Sequence, residues 1–138
     1  MQITTAFSRS MLLVLLATVF VLGLAAAEQE AEPKVHFDVT RYNSGWITSD
    51  SNGDGRIDYA LKLNDRRQKD IEAMDFSHDG YMDNFYYYEN DVLVRHELDT
   101  NGNQKVDLWV FMYRGVHVRG WERDTNHDGK ADLFRSYD

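Results

Sequence analysis

DSNGDGRID (50–58), DFSHDGYMD (75–83), DTNGNQKVD (99–107) and DTNHDGKAD (124–132) are four nine-residue segments that align without a gap, their first residues 25, 24 and 25 positions apart. Asp stands at positions 1 and 9 of every copy. Position 3 is Asn52, Ser77, Asn101 and Asn126; position 5 is Asp54, Asp79, Asn103 and Asp128. Position 6 is Gly in three copies and Gln104 in the third, and position 8 is apolar throughout. A fixed period of this length marks a repeat architecture, in which one supersecondary unit stacks on the next.

The spacers fix what that unit is. From position 9 of one copy to position 1 of the next, the chain advances 17, 16 and 17 residues. Each spacer divides into two apolar-aromatic runs around a polar turn. The pairs are 59–63 and 68–74, then 84–89 and 92–98 around Asn90-Asp91, then 108–113 and 116–123 around Arg114-Gly115. Runs of five to eight residues rich in Val, Tyr, Phe and Trp read as β-hairpins and are too short for helices. With two opening strands at 35–41 and 46–48, the expected fold is all-β. It is an antiparallel meander of repeated hairpins, about eight or nine strands, as an open or rolled sheet or a sandwich. The Asp-rich loops then lie at one end of the strands and the short turns at the other. Alternation places Tyr59, Leu61, Tyr86, His96, Leu108 and Val110 on the inner face. Phe85, Tyr87, Trp109, Phe111 and Phe134 fall on the opposite one.

The loop pattern suits a hard divalent cation. Ca²⁺ takes six to eight oxygen ligands at about 2.3–2.6 Å. A tight bend supplies them from Asp50, Asn52, Asp54 and Asp58 in the first loop, and from Asp75, Ser77, Asp79 and Asp83 in the second. The third offers Asp99, Asn101, Asn103 and Asp107, and the fourth Asp124, Asn126, Asp128 and Asp132. Position 7 adds a backbone carbonyl, from Arg56, Tyr81, Lys105 and Lys130. Asp, Asn and Gly also favour turns without any metal. Bare turn chemistry does not explain carboxylates kept at both ends of four loops, because they repel one another. The third loop, with two carboxylates and no glycine at position 6, is expected to bind most weakly.

These loops resemble those of the EF-hand superfamily in its broad sense. The nearest form is the short D-x-[DN]-x-D-G-x-x-D version of integrin-type propeller blades and related bacterial surface repeats. The likeness covers the loops alone and implies Ca²⁺ as cofactor. A full EF-hand places a bidentate Glu at position 12 between flanking helices. Position 12 here is Leu61, Tyr86, Val110 and Arg135, so helix-loop-helix is not expected.

Residues 1–27 read as a signal peptide: Arg9, an apolar run over 11–24, then Ala25-Ala26-Ala27 as a cleavage site. Residues 28–34 read as a flexible linker, and 35–138 as the repeat domain. Removing the leader takes away one base and no acid, so the net charge moves from −8 to −9. Such a charge disfavours nucleic acid and anionic membrane as partners. No membrane span remains after cleavage, and the expected location is the periplasm or outside the cell, with a protein or glycan as partner. The chain has no cysteine and no HExxH, GxSxG or phosphate-binding motif. His78 and His127, at position 4 of their loops, are expected to point into solvent. Glu72, Glu89, Glu97 and Glu122 show no evident partner. No catalytic residue is therefore expected, and the reading is a non-enzymatic calcium-binding module. The alternative is a small carbohydrate-binding protein or hydrolase with structural calcium, using the aromatic strands as a stacking platform.

Overall fold

The computed structural model describes residues 35–137 of the chain; the expected signal peptide and linker lie outside them. Eight strands follow in order: β1 (Ile47–Ser49), β2 (Tyr59–Leu63), β3 (Lys69–Met74), β4 (Asn84–Glu89), β5 (Val92–Leu98), β6 (Leu108–Tyr113), β7 (His117–Arg123) and β8 (Leu133–Ser136). Every strand pairs antiparallel with its sequence neighbour, which gives one eight-stranded meander sheet that does not close on itself. The four Asp-rich segments connect β1 to β2, β3 to β4, β5 to β6 and β7 to β8, and so share one end of the sheet. The short turns share the other end. Among them, Asn90 (φ 51°) and Asp91 (φ 63°) form the two-residue left-handed turn whose twist matches flanking strands. Each of the three hairpins also carries a register shift near its turn, at Lys62/Leu63, Tyr87/Tyr88 and Phe111/Met112.

The opening segment departs from the expected strand over 35–41. It forms an isolated bridge from Asp38 to Tyr81 and a single 3-10 turn, Val39–Arg41, capped by the Asp38 side chain on the Thr40 N–H. The Val39 N–H donates to the Gly80 carbonyl, and the Met82 N–H to that of Phe37. These bonds tie the segment to the second Asp-rich loop, where it lies over one face of the sheet.

That contact decides which face is buried. Ala60 pairs with Ala73 and Ala73 with Phe85, so the three share a face, and all are 0% exposed. Val39, Tyr42 and Met82 complete the core, with Phe37 edge-on to Phe85 at 5.2 Å. Alanine at both central positions leaves room for the Val39 and Tyr42 side chains to press onto the sheet. Tyr42 donates to the His36 carbonyl at 2.6 Å, and burial pushes its phenol up to about 12. The face expected to be inner, with Tyr59, Leu61, Tyr86 and His96, is instead half-buried, and no described residue forms a second layer over it. The reason is physical: both faces are apolar, and the covering segment has no periodicity of its own.

The open face holds its own polar order. Glu72, expected to lack a partner, is buried and accepts hydrogen bonds from Lys69 Nζ at 2.6 Å, Tyr59 Oη at 2.7 Å and Tyr88 Oη. Burial raises its carboxyl, but these three donors outweigh it and hold the group below its usual value. His96 stacks on Tyr86 at 4.0 Å, and burial pushes its imidazole down to about 4. Glu97, on the opposite face, accepts from Tyr87 Oη at 2.8 Å.

Phe85 is the test of this core. Phe85→Ala removes the ring beneath Phe37 and is expected to cost about 3–5 kcal/mol in urea unfolding. A loss under 1 kcal/mol would mean that the opening segment does not pack there.

Candidate functional site

The four Asp-rich loops share one backbone solution. Position 4 is left-handed in every copy, at Gly53 (φ 77°), His78 (57°), Gly102 (71°) and His127 (59°). Position 6 is left-handed as well, at Gly55 (87°), Gly80 (95°), Gln104 (63°) and Gly129 (89°). Two left-handed residues with one ordinary residue between them turn successive N–H groups inwards, and such a concavity suits an anionic group. The anion present is the chain's own.

At position 1, one carboxylate oxygen takes the N–H of position 6: Gly55 to Asp50 at 2.8 Å, Gly80 to Asp75 at 2.8 Å, Gln104 to Asp99 at 2.6 Å and Gly129 to Asp124 at 2.7 Å. At position 3, the side-chain oxygens of Asn52, Asn101 and Asn126 accept the N–H of position 5 at 2.8–3.0 Å. Ser77 instead donates to Asp75. At position 5, Asp54, Asp79 and Asp128 accept the N–H of Arg56, Tyr81 and Lys130 at 2.8–2.9 Å. Asn103 and Lys105 make no such bond among the described residues. At position 9, Asp58, Asp83, Asp107 and Asp132 reach back across the loop to the position 2 N–H. Where position 2 is Ser51, Thr100 or Thr125, its hydroxyl donates too, at 2.6, 2.9 and 2.8 Å.

The loops therefore bring every expected side chain of positions 1, 3, 5 and 9 into one bend of nine residues. Apart from Ser77 and Asn103, each of these side chains accepts a backbone N–H. Among the described residues, no three acidic or imidazole side chains converge on a common point. Burial is strongest at the hinge positions: Asp75, Asp107 and Asp124 are 2–3% exposed, and Asp58 and Asp99 are buried too.

The loops also touch one another. The N–H of Asp75 donates to the Asp58 carbonyl, that of Asp99 to Asp83, and that of Asp124 to Asp107, each at 2.9 Å. Position 9 of each loop is thus bonded to position 1 of the next, and the four form a continuous row. Arg56 adds a bond from Nη1 to the Asp79 carbonyl at 3.2 Å. His78 and His127 do not simply face solvent. His78 Nδ1 lies 3.1 Å from Asp58 Oδ1, and His127 Nδ1 lies 3.8 Å from Asp107 Oδ2 and 2.9 Å from Asn101 Nδ2. The left-handed backbone at position 4 swings each imidazole onto the preceding loop. Position 4 alternates Gly, His, Gly, His, and this was the sequence signal for it.

The electrostatics follow the donors. Hydrogen bonds led by the Ser51 hydroxyl hold the Asp58 carboxyl well below the carboxylate range, against a smaller opposing effect of burial. The Thr125 hydroxyl does the same for Asp132. The His78 imidazole is raised, first by its bond to Asp58.

Two outcomes test the loop geometry. Gln104→Gly relieves a left-handed side chain and is expected to stabilise the fold by about 1 kcal/mol in urea; a destabilisation would refute the shared loop backbone. Asp58 and Asp132 have depressed folded values, so their contribution is complete above the unfolded value of about pH 4 and falls away below it. In EDTA, the thermal midpoint should drop as pH falls from about 5 to about 3, and Ser51→Ala should flatten that dependence. An unchanged slope in Ser51→Ala would count against the assigned hydroxyl.

No family model and no curated protein matches the chain. Solved structures do. One is the crystal structure of accessory secretory protein 1, 2 and 3 in Streptococcus pneumoniae, with TM-score 0.51 and 13% identity over 77% of this chain and 21% of that one. TarM matches with TM-score 0.48 and 12% identity, over 71% of this chain and 20% of that one. A mutant of S. aureus TarM in complex with Fondaparinux, alpha-GlcNAc-glycerol and UDP matches with TM-score 0.41 and 11% identity, over 71% and 21%. The chain thus spans about a fifth of the length of these proteins, and the first likeness concerns the fold alone.

Proposed function

We propose that this chain is an exported, non-enzymatic calcium-binding repeat protein, in which Ca²⁺ ions in the Asp-rich loops brace a β-sheet used for binding or envelope structure. The observation that carries the reading is the row of four loops. Each gathers oxygens at alternate positions, and adjacent loops are joined by a backbone hydrogen bond. The N–H donors orient these carboxylates without removing their charge, and the chain carries a net −8. A divalent cation in each loop would offset that charge, which is the contribution the ion supplies. The side chains of positions 1, 3, 5 and 9 and the carbonyls of Arg56, Tyr81, Lys105 and Lys130 are the groups to hold it. The leader over 1–27 supports export, where free calcium is abundant enough for weak sites.

A second reading keeps calcium structural and assigns the binding to sugars. It draws on an open groove of about 520 Å³ on the uncovered face, lined by Val110, Trp121, Leu133 and Tyr137 among others. Trp121 Nε1 donates to Tyr137 Oη at 3.3 Å, which ties together the two aromatic side chains on which a sugar would stack.

Calorimetric titration tests the calcium reading. Binding is expected at about 10⁻⁴–10⁻³ M, as in extracellular modules that lack a bidentate Glu. Asp50→Ala and Asp124→Ala should each remove one site, with the third loop the last to fill. The thermal midpoint should rise in millimolar calcium relative to EDTA. Identical melts in the two buffers, with no heat of binding, would refute it.

A further inference from the structure

The two ends of the sheet are complementary halves of an interface that the chain already contains three times. Strands β2, β4 and β6 each follow an Asp-rich loop and pair with β3, β5 and β7, which each precede one. In all three pairings, position 9 of the earlier loop accepts the N–H of position 1 of the later one. By this rule, among the described residues, β8 is a member of the first set without its partner and β1 a member of the second without its own. The matching bond is also unmade at both ends. Among the described residues, the Asp132 carbonyl has no donor and the Asp50 N–H no acceptor.

We infer that copies of this chain join head to tail, the outer edge of β8 in one copy pairing antiparallel with the outer edge of β1 in the next, so that sheet and loop row both continue. The internal register dictates the contacts. Asp132 stands against Asp50 as Asp58 stands against Asp75, which sets Leu133 opposite Ser49, Phe134 opposite Thr48 and Arg135 opposite Ile47. Each pair then shares a face. Thr48 pairs with Ala60 on the covered face, and Phe134 reaches that same face through Glu122, Trp109, Glu97 and Phe85. A one-residue slip would break this agreement, so it is a check on the register.

Exposure supports the same joint. Ile47 is 55% exposed, Leu133 48% and Phe134 78%, and all three lie in or beside the seam. Edge strands are ordinarily guarded by proline, lysine or inward charge. Leu133-Phe134-Arg135-Ser136 and Ile47-Thr48-Ser49 carry only Arg135 between them. A heterologous contact of this kind repeats from copy to copy, and it yields an open filament where the rotation does not close a ring. The acidic charge of each copy opposes it, so salt should promote assembly.

The test uses the full chain in sedimentation velocity, in EDTA and in millimolar calcium. The expected result in at least one buffer is a series of species that grows with concentration and does not stop at a dimer. Phe134→Pro and Thr48→Pro block one end each. The Tyr137 N–H bonds the Arg119 carbonyl on β7, so alternation along β8 turns the Phe134 N–H outwards. The Thr48 N–H faces outwards on β1 by the same reasoning. Proline is tolerated at such edge positions, and both variants should keep the parent's circular dichroism and melt. Each variant alone is expected to stay monomeric, and a mixture of the two to form a dimer and stop. A wild-type chain that remains monomeric in both buffers at every concentration overturns the inference. So does assembly that survives either proline, or a mixture that forms no dimer.

Discussion

A carboxylate folded back into a nine-residue bend has to be met by donors, and in this protein the donors are backbone N–H groups. At each of the four Asp-rich loops, the first and last residues accept hydrogen bonds from inside the same loop. Hydrogen bonds to a charged acceptor are stronger than neutral ones, and these loops are short enough for two such groups to hold most of their backbone. That constraint reaches beyond the loop. Position 9 delivers the chain into β2, β4, β6 or β8, and in the first three cases its carbonyl then receives position 1 of the next loop. Loop chemistry and strand register are therefore one problem with one solution, repeated.

A sheet built this way has no need of a second sheet to define it, and only part of one face is covered. The segment over 35–46 covers β2 to β4 with Phe37, Val39, Tyr42 and Trp46. Farther along the same face, Trp109 and Phe111 are half-buried and Phe134 is 78% exposed. Stability in such a linear repeat is a sum of unit and neighbour terms, so the covered end should open last and the β7–β8 end first. The uncovered face compensates in part through side-chain order. Glu72 is ringed by Tyr59, Lys69 and Tyr88, and Tyr86 stacks on His96, which spends polar and aromatic groups where a core would use aliphatics.

Much of this was legible in the sequence because two periods overlap. The 25-residue repeat located the loops, and the two-residue alternation between them located the strands, to within a residue or two. The buried face was not legible. Tyr59, Leu61 and Tyr86 look as apolar as Phe85 and Tyr87, while the deciding partners, Val39 and Tyr42, sit in an aperiodic stretch that reads as an ordinary strand. Ala60 and Ala73 were the overlooked clue, since small residues on adjacent strands mark where another segment approaches closely. That the side chains of positions 1, 3, 5 and 9 share one bend was legible from spacing alone. The reach of His78 to Asp58 was not, because it depends on the sign of one backbone dihedral.

The same loop geometry bears on what an ion would change. Backbone donors fix the direction of each carboxylate, so part of the conformational entropy of ordering these side chains is already met in the folded chain. They leave the formal charge in place, and the row sets Asp58 beside Asp75, Asp83 beside Asp99 and Asp107 beside Asp124 in sequence order across the sheet. His78 Nδ1 lies 3.1 Å from Asp58 between the first and second loops, and His127 Nδ1 lies 3.8 Å from Asp107 between the third and fourth, so an imidazole stands at each of these junctions. Between the second and third loops, position 4 is Gly102 and no imidazole intervenes. That junction borders an open groove of about 600 Å³ lined by Asp79, Asp83 and Asp99. It also joins the second loop, with three carboxylates, to the third, with two. Under the proposed function, the second loop would therefore fill before the third and supply the charge that the junction lacks.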